Sequence, residues 1–150
     1  MVTTLQFLIN KGSGAMKNEK VLRWILCSLA VANVLNGLWM LVAPEHWYYN
    51  IPAGVPDTGA LNVHFIRDIG SAYITCGVAF ALAACMPLAR FSLMVVTTTF
   101  YFLHACGHIF DIVVENLPDS HIYIDMPLVF IPVVFLLAIT GWCYRLDPAM

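Results

Sequence analysis

Four long apolar runs constrain this chain more than any other feature: Val21 to Ala43, His64 to Met86, Ala89 to Val114 and Ile122 to Trp142. At 1.5 Å per residue, each is long enough to cross a bilayer core of about 30 Å as a helix. None shows the polar face that a helix at a soluble surface would keep wet. The chain has 150 residues, enough for one soluble domain, but it is 61% hydrophobic and only 11% charged. A soluble domain carries roughly a quarter charged residues. The expected fold is therefore all-α, an integral membrane up-and-down four-helix bundle spanning residues 21–146. Too little chain lies outside the runs for a soluble catalytic domain, and no basic tract points to nucleic acid.

Punctuation between the runs supports this division. Pro44 closes the first run and Pro87 the second, because proline cannot continue a helix hydrogen-bond ladder. The connections from run two to three and from three to four are short, which predicts antiparallel neighbours. The longer stretch from Glu45 to Val63 mixes Trp47, Tyr48 and Tyr49 with Pro52, Gly54, Pro56 and Gly59. Amphipathic aromatics beside turn residues suit a segment in the headgroup layer, and His46 belongs with them. Residues 1–20 read as a flexible cytoplasmic segment, with Lys11 to Met16 a linker or an extended start ahead of an initiator at Met16. No cleavable signal peptide is expected, so the first run stays as an anchor. The five cysteines, Cys27, Cys76, Cys85, Cys106 and Cys143, form no CxxC pair and read as small apolar packing residues.

Orientation follows from the basic residues near the run ends, which are retained in the cytoplasm. Lys11, Lys17, Lys20, Arg23, Arg90 and Arg145 fall on one side, and Arg67 alone on the other. Both termini are thus expected inside, and Glu45, Asp57, Asp68, Asp111, Glu115, Asp119 and Asp125 near the outer face.

The ionisable residues form helical stripes. On run three, His104, His108, Asp111 and Glu115 are spaced four, three and four apart, a face roughly 60° wide at ~100° per residue. On run two, His64, Asp68, Ser71 and Thr75 repeat the spacing, with Arg67 on the flank; on run four, His121 and Asp125 are four apart. Asp68 and Asp125 each lie roughly 6 Å below the start of their runs. His108 and Asp111 approach the same layer from the opposite direction, with Asn33, Asn36 and Gly37 below it. Ionisable groups at such depth cost a few kcal/mol each unless they face the interior and pair there.

Three kinds of chemistry fit this constellation. Imidazole with carboxylate suits zinc, copper or iron, with His104, His108 and Asp111 as the ligand set. Alternatively, His64, Arg67, Asp68, His121, Asp125 and Glu115 hold an anionic or quinone-like ligand, or relay protons. The third reading is a purely structural ion-pair network in which Arg67 meets Asp68, Asp111 or Asp125. Pro127 and Pro132 free backbone carbonyls on run four and kink it beside Asp125.

The stretch Asn62-Val63-His64-Phe65-Ile66-Arg67-Asp68-Ile69-Gly70, opening the second of four runs, resembles the start of the second helix in small bacterial membrane proteins of the DoxX-like kind. The segment from His104 to Asp111, with His108 between, is similar to one those proteins carry on their third helix. The resemblance covers roughly residues 20–145. It implies a four-helix protein of the bacterial inner membrane and, by analogy with quinone-reducing thiosulfate enzyme subunits of that family, a redox or accessory role. The absence of a CxxC argues against thiol exchange. The functional expectation is a subunit or partner of a membrane complex, or a homo-oligomer, with a His/Asp/Arg site at its outer end. A stand-alone metal- or quinone-dependent oxidoreductase and a small transporter or proton pathway are the alternatives.

Overall fold

The structure, a computed structural model, describes the backbone of residues 2–146 and the side chains of residues 16–146. Helix α1 spans Val2–Val42, α2 Pro44–Asn50, α3 Val63–Cys85, α4 Pro87–Val113, α5 His121–Ile124 and α6 Ile131–Leu146. A 3₁₀ turn covers Val55–Thr58, a π-helical turn covers Met126–Phe130, and no strand occurs among the described residues. Four stretches are long and apolar enough to cross a membrane: Met16–Val42, Val63–Cys85, Pro87–Val113 and Met126–Leu146. Of the flexible segment expected over residues 1–20, the side chains of 1–15 lie outside those described. Residues 16–20, expected to be flexible, are helical and form the start of the first of these stretches.

Local chemistry sets the helix limits. The side chain of Asn62 accepts a 3.0 Å hydrogen bond from the Phe65 amide and caps α3, satisfying one of the donors a helix start leaves free. Pro44 and Pro87 occupy the first positions of α2 and α4, where a missing N–H costs nothing. The fourth run is broken beside Asp125, where its two prolines predict a kink. Proline at 127 and 132 removes two ladder donors, and the Asp125 carbonyl instead accepts from both Val129 (2.8 Å) and Phe130 (3.2 Å). The chain loosens there into the π-turn.

Sequential helices pack antiparallel. Backbone at Gly37 meets Gly70, and Ala30 meets Gly77; Arg90 meets Ala83 and Phe100 meets Tyr73; Thr98 meets Thr140 and Phe91 meets Tyr144. In each pair the residue number falls on one helix as it rises on the other. The α1–α3 contact is the closest. A Cβ at Gly37 would lie 2.5 Å from the Gly70 carbonyl oxygen, and one at Gly77 would lie 2.7 Å from Val34. The small residues of the second run therefore allow tight helix approach. Gly37, expected beside a polar interior, is part of that contact. Leu22, Leu26, Phe80, Met94, Leu136 and Cys143, drawn from all four long helices, share one core.

The long connection folds back over one end of the helices, here the loop end. Tyr48 donates to the Gly59 carbonyl at 2.6 Å, Trp47 to the Asn36 side chain at 3.0 Å, and Trp39 to His46 Nδ1 at 3.1 Å. Gly54, at φ +58°, brings the backbone so near His121 that a Cβ there would sit 2.9 Å from the imidazole. This fold-back puts the 3₁₀ turn on top of α5.

Candidate functional site

Beneath that cover, carboxylates and imidazoles alternate from the loop end into the interior. Asp57, on the exposed 3₁₀ turn, has Oδ2 3.2 Å from Nε2 of His121, which is buried. His121 Nδ1 is 3.8 Å from Oδ2 of Asp125, and the same oxygen is 2.7 Å from Nδ1 of His108 on α4. His108 meets His104 edge to face, with ring centroids 4.7 Å apart. Asp125 is 0% exposed and His121 1%. A carboxylate so placed is held only by strong local partners.

The sequence places these groups by three devices. Helix spacing of four puts His104 and His108 on one side of α4, and His121 and Asp125 on one side of α5. The π-turn then lets Asp125 face α4 while α6 keeps its own packing face. Such bulges recur at functional sites because they re-aim a side chain. Two buried atoms find no hydrogen-bond partner among the described residues, Nδ1 of His121 and Oδ1 of Asp125. Both flank the 3.8 Å step.

Further inward the series meets aromatic groups. Phe100 stacks parallel to His104 with centroids 6.3 Å apart, and Tyr73 packs edge-on to both Phe100 and Tyr101. The Tyr101 hydroxyl donates to buried Asn33 at 2.6 Å, and Asn33 donates to the Leu29 carbonyl at 2.9 Å. Asn33 does lie below the His/Asp layer, but Asn36 is taken by Trp47.

Not every expected residue joins the site. His64 and Asp68 lie 3.6 Å apart but are 89% and 61% exposed, on the side of α3 turned away from the core. Arg67 is exposed as well and donates to the Leu41 carbonyl at 3.3 Å. Among the described residues it forms no ion pair with Asp68, Asp111 or Asp125, so the expected Arg67-centred network is replaced by a His/Asp one. Asp111 accepts from Asn116 at 3.2 Å. Glu115 is exposed, beyond the end of α4, at φ 61°. The stripe on α4 therefore divides: His104 and His108 turn inward, while Asp111 serves the turn after the helix. Among the described residues no group of three or more His, Cys, Asp or Glu side chains is arranged to hold one metal ion.

Two contacts, one in the site and one far from it, were not legible in the spacing. Asp57 meets His121 across 64 residues of chain, and only the fold-back at Gly54 makes that contact. At the opposite end, buried Arg90 makes two hydrogen bonds to Glu19, at 2.7 and 2.9 Å, and a third to the Ala83 carbonyl at 2.8 Å. No protein-family model matches the chain, nor does any curated protein or solved structure.

Proposed function

We propose that this chain is an integral membrane up-and-down four-helix bundle, with cytoplasmic termini, that moves protons between the outer water phase and its own interior. It does so as a proton-handling subunit of a membrane complex. The observation that carries this reading is Asp125: wholly buried, 2.7 Å from His108 and 3.8 Å from His121, which reaches exposed Asp57. An imidazole can accept a proton on one nitrogen and release it from the other. Alternating it with carboxylates gives a path in which each group hands on to the next. The 3.8 Å step closes by rotation of Asp125 or through a bridging water, and the two unpartnered atoms flank it. Near His104 the path meets the packed rings of Phe100, Tyr73 and Tyr101, which favours a half-pathway over a continuous channel.

This reading is tested directly. In sealed vesicles, a jump in external pH should change an infrared carboxyl band that disappears in Asp125→Asn, and Asp57→Ala should slow that change. A carboxyl band of Asp125 indifferent to external pH would overturn the reading and leave a structural hydrogen-bond network.

A further inference from the structure

Where α1 turns into α2 and α3 begins, the surface opens into a groove of about 380 Å³ whose walls include Val42, Glu45, His46, Val63 and Arg67. The His/Asp site uses none of these residues. Both signs of charge line the groove, yet they do not cancel within the protein. Among the described residues neither Arg67 nor Glu45 makes an ion pair, and Asp68, next to Arg67 in the chain, lies 3.6 Å from His64 instead. Arg67 sits roughly 6 Å along α3 from its first residue. In the membrane placement proposed above, a guanidinium at that depth calls for an anionic partner.

Two contacts hold the donors in place. Arg67 Nε donates to the Leu41 carbonyl at 3.3 Å, which keeps the guanidinium at the helix joint and leaves its two terminal nitrogens for another acceptor. The Trp39 indole donates to His46 Nδ1 at 3.1 Å. That nitrogen therefore carries the lone pair, and the neutral ring has its proton on Nε2 as a second donor. From these donors, the acid beside them and the membrane placement proposed above, we infer that the groove binds a lipid headgroup carrying a phosphate and a primary ammonium. The phosphate lies on Arg67 and His46, and the ammonium on Glu45. A guanidinium matches two phosphate oxygens at once, and Glu45 selects the remainder of the headgroup. Its carboxylate repels a purely anionic lipid but accepts from the N–H donors of a primary ammonium. A quaternary ammonium has no such donor and is recognised by aromatic faces; among the described residues no Phe, Tyr or Trp lines the groove. From Val42 the exposed face of α1 continues through Leu38, Leu35 and Val31, spaced four, three and four apart, an apolar track for the acyl chain below the headgroup.

Native mass spectrometry of the delipidated full chain in detergent micelles tests this by titration with phosphatidylethanolamine, phosphatidylglycerol and phosphatidylcholine of the same acyl chains. Phosphatidylethanolamine should bind more tightly than the other two. Arg67→Gln should weaken it roughly tenfold or more, as loss of a hydrogen bond between charged groups does, and Arg67→Lys should lose less. Glu45→Gln should weaken phosphatidylethanolamine while phosphatidylglycerol binds as well or better, a change of preference that a structural role for Glu45 would not produce. Equal affinity for the three lipids, complete displacement by inorganic phosphate, or Arg67→Gln and Glu45→Gln variants that bind like the parent would each overturn the assignment. The parent's own lipid preference decides the matter even where a variant fails to fold. Topology reporters read the membrane placement separately, so a chain with the expected topology and no lipid preference rejects the headgroup site alone.

Discussion

His108 on α4 and Asp125 at the end of α5 are joined by a 2.7 Å contact between Nδ1 and Oδ2, and it ties the irregular fourth run to the helix before it. The carboxylate has no exposure to solvent. Replacing His108 with Leu strands it, and removal of one member of a buried charged pair costs about 3 kcal/mol or more. His108→Gln keeps a donor and should lose less. Unfolding titrations in mixed micelles of both variants check the order, and equal stability of His108→Leu and the parent would show that Asp125 does not depend on this bond.

The α1–α3 contact supplies a second expectation. Alanine at Gly37 would bring its Cβ to 2.5 Å from a backbone oxygen of Gly70, which no side-chain rotation relieves. Overpacking of this kind costs roughly 1–3 kcal/mol. Among the described residues nothing lies within 4 Å of where a Cβ at Gly107 would sit, so Gly107→Ala should be neutral or stabilise by up to about 1 kcal/mol through helix propensity. Thermal unfolding of the two variants side by side separates packing from propensity.

How much of this was readable before the structure depended on the range of the interaction. Run length and proline positions located the four membrane-length stretches to within about five residues, because both act through the local chain; they did not show that α1 begins at Val2 or that the fourth run divides into α5, a π-turn and α6. The spacing of His104 with His108, and of His121 with Asp125, gave correct local neighbours for the same reason. It could not show which way a stripe turns. The identical spacing of His64 and Asp68 faces outward, because Gly70 and Gly77 claim the α1-facing side of α3. Arg67 goes outward with them. Arg67→Leu is therefore expected to change stability by less than about 0.5 kcal/mol, as exposed substitutions usually do. A loss of several kcal/mol in micelle unfolding would restore Arg67 as the anchor of the acidic groups.

At the end opposite the His/Asp site, Arg90 is 4% exposed and takes both oxygens of Glu19. Two-pronged pairing with a guanidinium is geometrically specific. Glu19→Gln keeps one acceptor oxygen, whereas Glu19→Ala leaves the guanidinium with the Ala83 carbonyl as its one acceptor among the described residues. Loss of a hydrogen bond to a charged group costs about 1.5–3 kcal/mol, so Glu19→Ala should destabilise more than Glu19→Gln. Protease sensitivity near residues 16–20 should rise in parallel, since Glu19 fastens that part of α1 to α4.

Topology is the prediction on which the membrane reading stands. Six of the seven basic residues fall at one end of the long helices and Arg67 alone at the other, and the translocation machinery holds basic flanks in the cytoplasm. Reporters fused after Arg145 should read cytoplasmic, and reporters inserted near Asp57 should read external. The proton reading needs that outcome, because Asp57 is its contact with outer water. The opposite result at both positions would turn the site toward the cytoplasm. External pH would then leave Asp125 unmoved, and the proposal of proton movement from the outer water phase would fall with the topology.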